Sequence, residues 1–166
     1  MEYEKIMPIA QGILEQLKPH CERIEIAGSL RRHNKEDYGD IEILAIPKPY
    51  NVGFLSSGIA PILEQWECIK GQLPCKFTQR RLPEGINLDF FTSLPDSWGL
   101  QYLIRTGPWE FSKKFVGTWL PKKGYHSDEG VLYRGIGINR VPVAVREEAD
   151  MFRLAEIDFI PPEKRF

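Results

Sequence analysis

The sequence predicts an α+β fold divided into two small lobes near residue 95. Three observations predict it. An amphipathic helical pattern opens the chain and gives way to short strand-like runs. Two later strand-like runs, 75–82 and 86–91, are joined by Pro83-Glu84-Gly85, a turn signal that makes them a hairpin. After Pro95-Asp96 the texture changes to helical segments interrupted by a glycine-punctuated hairpin. A chain of 166 residues suffices for one core or two small lobes, not for two large domains.

The elements follow in order. Residues 3–18 carry Ile6, Ile9, Ala10, Ile13, Leu14 and Leu17 on one helical face, with Pro8 expected in the first turn and Pro19 closing the segment. Residues 23–27 alternate as a strand. Gly28-Ser29 then forms a turn, followed by a charged stretch over 31–37 and a second strand over 40–46 that ends at Pro47 and Pro49. Residues 56–69 read as a helix with a serine N-cap. Beyond the 75–91 hairpin, helices are expected near 97–105 and 109–119, a hairpin across 124–143 and a last helix over 147–156. There is no internal repeat or low-complexity tract.

Composition narrows the function. Hydrophobic residues make up 42% and charged residues 27%, ordinary values for a soluble globular protein. The net charge of −1 sets this chain apart from stand-alone nucleic-acid binders, whose affinity comes mainly from neutralising phosphates. Any DNA binding must come from local basic patches and should be weak and salt-sensitive. Cys21, Cys68 and Cys75 include no C-x-x-C spacing, which argues against structural zinc and for reduced thiols in a cytoplasmic compartment. No apolar run approaches a membrane span, and no secretory leader pattern begins the chain. A soluble monomer with no membrane partner is expected.

Two constellations carry chemistry. Residues two apart on a strand share a face, so Asp40 and Glu42 project together while Ile41 and Ile43 face the other way. Asp89 sits inside the apolar run I-N-L-D-F-F, where aspartate is a poor strand former. Three carboxylates converging from two strands repel one another unless cations occupy the cluster, and Mg²⁺ is the natural hard ion for oxygen ligands. Taken singly, such residues also decorate the wet face of ordinary strands. The second constellation is Gly28-Ser29-Leu30-Arg31-Arg32, directly after a strand. Glycine permits close approach of the backbone to an anion, serine offers a hydroxyl, and arginine grips phosphate in bidentate fashion. The order of strand, G-S-x-R-R, charged loop and G-D-x-E strand would set a triphosphate grip beside a metal pair.

With these residues in view, the sequence resembles the X-family DNA polymerases of the nucleotidyltransferase superfamily. The resemblance runs in order through Gly28-Ser29-Leu30-Arg31-Arg32, Gly39-Asp40-Ile41-Glu42-Ile43, Leu88-Asp89-Phe90-Phe91-Thr92, Thr106-Gly107 with Phe111 beyond it, and the tail from Phe159 to Arg165. It implies a nucleotidyltransferase palm over 1–95, with a mixed β-sheet flanked by helices. A small C-terminal α/β-hairpin lobe over 96–166 would face the nucleotide and template. It also implies that Asp40 and Glu42 bridge two Mg²⁺ ions, with Mn²⁺ the alternative metal, and that Asp89 binds the catalytic ion and takes the proton from a primer 3′-hydroxyl. Gly28, Ser29, Arg32 and Gly39 would surround the triphosphate, with Ser29 and Arg32 holding its β- and γ-phosphates. Thr106 and Gly107 would lie along the nucleotide sugar.

Three departures from the family pattern stand out. Glu42 replaces the usual second aspartate and adds a methylene, which moves the ligand by on the order of 1 Å. Ile104-Arg105 stands where larger members carry an aromatic pair that excludes ribonucleotides. The lyase domain and helix-hairpin-helix clamps of larger members have no room in this length.

Other features weigh less. Lys76, Arg80 and Arg81 on the hairpin, and Lys113 and Lys114 beside Phe115 and Trp119, are candidate DNA contacts or solvated cations. Phe115 and Trp119 read as core. Gly135-Ile136-Gly137 reads as a β-hairpin turn, not a helix-hairpin-helix core. His20, His33 and His126 show no ligand spacing. The expected activity is metal-dependent addition of nucleotides, from nucleoside triphosphates, to a primed or gapped DNA 3′-hydroxyl. The alternatives are transfer to a small molecule, protein or tRNA, and an inactive DNA-end-binding module.

Overall fold

The computed structural model describes residues 1–48, 58–73 and 75–166. Two compact units divide the chain, Met1–Ser93 and Leu94–Phe166.

The first unit is built on a five-stranded mixed sheet of order β1-β2-β5-β4-β3. Its strands are β1 (Cys21–Ile26), β2 (Asp40–Pro47), β3 (Glu67–Lys70), β4 (Phe77–Arg81) and β5 (Asn87–Thr92). Strands β2 and β5 run parallel, and the remaining pairs are antiparallel. Helix α1 (Tyr3–Leu17) buries Ile6, Ala10, Ile13 and Leu17 in a core shared with Ile24, Ile41, Ile43, Leu88 and Phe90. Pro8 is the sixth residue of α1 and exposed, not in its first turn as expected. An interior proline costs about 3 kcal/mol. Burial of three large aliphatic side chains, at about 1.5–3 kcal/mol each, exceeds that cost, so the helix runs on.

A second expectation is corrected between β2 and β4. The helix expected over 56–69 is one turn, α3 (Ala60–Leu63), and Glu67–Lys70 is an edge strand instead. Its serine cap falls outside the described residues. Residues 67–70 pair with β4, Glu67 opposite Arg81 and Cys68 opposite Arg80, so the ladder satisfies their backbone and overrides a weak helical preference. The Gly28-Ser29 turn is likewise helical: residues Gly28–Arg32 form α2, ended by His33 in the left-handed conformation.

The second unit holds α4 (Trp98–Thr106), α5 (Trp109–Lys114), a π turn over Phe115–Trp119 and α6 (Glu148–Ala155). The expected hairpin is a three-stranded antiparallel sheet of β6 (Tyr125–Asp128), β7 (Val131–Arg134) and β8 (Val141–Val143). Gly135-Ile136-Gly137 follows β7 as a turn. Leu100, Leu103, Phe111, Phe115, Leu132, Met151 and Phe152 form the core, and Trp119 packs against it. Gly99 is required there: a Cβ would lie 2.2 Å from the Glu147 carbonyl oxygen. Helix α6 starts with a capping box between Glu147 and Asp150. The tail is anchored by Arg165, which is fully buried, paired to Glu148 at 2.6 Å and ringed by Phe111, Phe152 and Phe159 at 5.3–5.6 Å.

Candidate active site

Strand alternation and register build the site. On β2, Ile41 and Ile43 point into the core and are fully buried, which sends Asp40 and Glu42 to the opposite face, half-buried. On β5, Leu88 and Phe90 enter the same core, so Asn87 and Asp89 share the face of Asp40 and Glu42. The parallel register sets Glu42 beside Asp89 and Asp40 beside Asn87. Each of the three acids offers a carboxylate oxygen, and these oxygens all lie within 4.8 Å of one another. At that spacing a pair of carboxylates repels by roughly 3 kcal/mol at a surface-type dielectric, a cost that a divalent cation removes. The donor set fits Mg²⁺ or Mn²⁺: oxygen only, anionic, and part-exposed so that water or phosphate can complete the shell.

The G-S-x-R-R segment lies against this cluster. The Ala27 N–H donates to the Glu42 carbonyl oxygen at 2.8 Å, which fixes the start of α2 to β2. Gly28 has φ +62°, and a Cβ there would lie 1.7 Å from Glu42 Oε2. The Glu42 carboxylate therefore rests on the bare Cα of Gly28, and the longer acid is accommodated by the missing side chain. Ser29 and Arg32 are both buried, each at 8% exposure, on this short helix. Gly39 is exposed and immediately precedes Asp40.

Not every expected residue belongs to the unit that carries these acids. Thr106 and Gly107 belong to the second unit. Thr106 is fully buried, and Gly107 ends α4 with φ +63° before a cis Gly107–Pro108 bond. Lys76 and Arg81 are exposed, and Arg81 donates to the Gly85 carbonyl oxygen at 2.9 Å. Arg80 departs from the expectation of a DNA-facing cation. Alternation along β4 turns it to the core side, where it is 4% exposed and donates to Thr78 Oγ1 at 2.9 Å. Lys113 and Lys114 are exposed in the second unit, their ammonium groups 4.6 Å and 5.2 Å from the Trp109 and Trp119 rings. They border a hollow of about 350 Å³ with Glu110, Gly117 and Thr118.

One contact escaped sequence reasoning. Gln79 lies opposite Asp89 in the antiparallel β4–β5 register, and its Nε2 donates to Asp89 Oδ1 at 2.7 Å. The signal was available in the hairpin count around Pro83-Glu84-Gly85, since residues paired across a hairpin share a face.

No protein-family model matches the sequence, and no curated protein matches it. Among solved structures, the chain is similar to Leishmania infantum polymerase beta in a ternary P/T complex. The TM-score is 0.79 at 21% identity, covering 100% of this chain and 76% of that one. The chain has the polymerase-beta-like fold, a mixed five-stranded sheet flanked by helices. None of its described helices is long and apolar enough to cross a membrane.

Proposed function

We propose that this protein is a metal-dependent nucleotidyltransferase, a minimal X-family-type DNA polymerase that extends a primer 3′-hydroxyl and releases pyrophosphate. The observation that carries the reading is the meeting of Asp40, Glu42 and Asp89 within 4.8 Å, on a polymerase-beta-like fold, with Glu42 seated on the G-S-x-R-R segment. In this reading residues 1–95 are the palm, and residues 96–166 the lobe on the nucleotide and template side.

Asp40, Glu42 and Asp89 would hold two Mg²⁺ or Mn²⁺ ions. Such a pair, when bound, offsets charge on the attacking and leaving oxygens of an in-line displacement. The chain's own residues do the rest. Asp89 accepts the proton of the 3′-hydroxyl. Ser29 and Arg32 hold the β- and γ-phosphates, with Gly28 seating Glu42 beside them and exposed Gly39 leaving the backbone open. Lys76 and Arg81, with Lys113 and Lys114 on the other lobe, supply phosphate contacts to primed or gapped DNA. Catalysis of this kind is positioning and electrostatics more than covalent chemistry.

Asp89→Asn tests the reading. It should abolish nucleotide incorporation on gapped DNA, and the thermal unfolding midpoint should stay close to that of the parent. Undiminished incorporation by the variant in Mg²⁺ would refute the assignment. A second reading, transfer to a non-DNA acceptor, is favoured by the net charge of −1. Absence of binding to a gapped duplex even at low salt would select it.

A further inference from the structure

We propose that Gln79 is a positioning residue for Asp89: its side-chain amide holds the one carboxylate that β5 contributes in the orientation needed to share a divalent ion with Asp40 and Glu42. The inference rests on the metal reading of the triad and concerns how that triad is kept assembled.

Asp40 and Glu42 come from one strand, whose two-residue period puts both on the same face. Asp89 comes from the neighbouring strand, and its side chain must settle in one staggered well to keep an oxygen within 4.8 Å of the other two. The Gln79 amide provides that restraint. It donates to Oδ1 at 2.7 Å, the short end of the range for an N–H donor to a charged oxygen. Gln79 is half-buried and set by the β4–β5 register directly opposite Asp89.

The neutrality of the donor matters as much as its reach. The next two residues are arginines. A slip of one residue in β4 would bring a guanidinium against Asp89, and a bidentate arginine–carboxylate pair would compete with the metal. The observed register avoids this. Arg80 turns to the core and bonds Thr78, and Arg81 pairs across the ladder with Asn87 while bonding the Gly85 carbonyl. Glutamine aims Asp89 through a neutral donor that itself cancels none of the carboxylate charge. Partners that orient metal ligands are typically worth ten- to a hundredfold in metal affinity or activity.

The test uses the full chain, with Mn²⁺ alone as the probe and paramagnetic resonance of the free ion as the readout, so that no turnover is needed. Gln79→Met keeps the length and removes the N–H. It should weaken Mn²⁺ binding about tenfold at an unchanged unfolding midpoint. Gln79→Arg should weaken it much further. Gln79→Asn, one methylene short of Asp89, should behave as the methionine variant does and guards against a packing artefact of the latter. In incorporation assays the methionine variant should lower kcat and leave the KM for nucleotide in place. Wild-type Mn²⁺ affinity in both the methionine and asparagine variants would overturn the role of Gln79 and leave the triad reading intact. A parent protein that binds no Mn²⁺ would overturn both.

Discussion

Replacing Gly28 by alanine separates backbone strain from damage to the site. An alanine with φ +62° costs about 1–2 kcal/mol, because the left-handed region brings Cβ against the carbonyl. The new methyl group would also lie 1.7 Å from Glu42 Oε2 and 2.5 Å from its Cδ, where ordinary contact begins at 3.4 Å. The carboxylate must retreat by about 1.7 Å. Because it ends a flexible side chain, it can swing away at little cost in stability, and the loss falls on the metal site. A displacement of even 1 Å at a reacting centre is worth about a hundredfold in rate. Gly28→Ala should therefore lower unfolding free energy by only about 1–2 kcal/mol in a urea titration, yet lower incorporation about a hundredfold or more. Glu42→Asp provides the control. The shorter acid draws the carboxylate back by one methylene, relieving the closest contact of 1.7 Å at Oε2, and keeps the Cβ contact at 3.0 Å. In a double-mutant cycle the aspartate should therefore rescue part of the activity lost by alanine. Full activity in Gly28→Ala, or strict additivity of the two changes, would refute the claim that the glycine exists to seat Glu42.

Three further outcomes are expected. Arg165→Ala takes the 2.6 Å ion-pair partner from buried Glu148 and should cost about 3–5 kcal/mol in denaturant unfolding, whereas replacing both partners with apolar residues of similar volume should recover most of it. Burial pushes the Cys21 thiol up to about 11 from an ordinary 9.0. The unfolded chain therefore ionises first, and stability should fall as pH rises from about 9 toward about 11. At pH 8, iodoacetamide should label exposed Cys68 in the native protein and reach buried Cys21 only after unfolding, as read by mass spectrometry.

Local order along the chain encodes much of the fold and of the site. The two-residue period placed Asp40 and Glu42 on one face, and the apolar neighbours of Asp89 marked it as a carboxylate on a strand built for burial. The turn at Pro83-Glu84-Gly85 made β4 and β5 partners. The periodic stripe of α1 and the glycines around 135–137 also read correctly, because each depends on residues close in sequence. Pro8 was misplaced because burial of the helix stripe outweighs the local penalty of an interior proline. The strand at Glu67–Lys70 was misread because a neighbour's unpaired edge, not its own propensity, decides its conformation.

The sequence by itself determined the identity of the acids, their faces and the order of the motifs, since those follow from covalent spacing and the pleat. Only the tertiary structure decided that Asp89 stands beside Glu42 in a parallel register, that the Glu42 carboxylate rests on Gly28, that Gln79 holds Asp89, and that Arg80 is a core residue while Arg81 is not. Register and close approach are properties of paired strands. A shift of one residue would exchange every face, and nothing in a single strand's spacing fixes which neighbour it meets or at what offset.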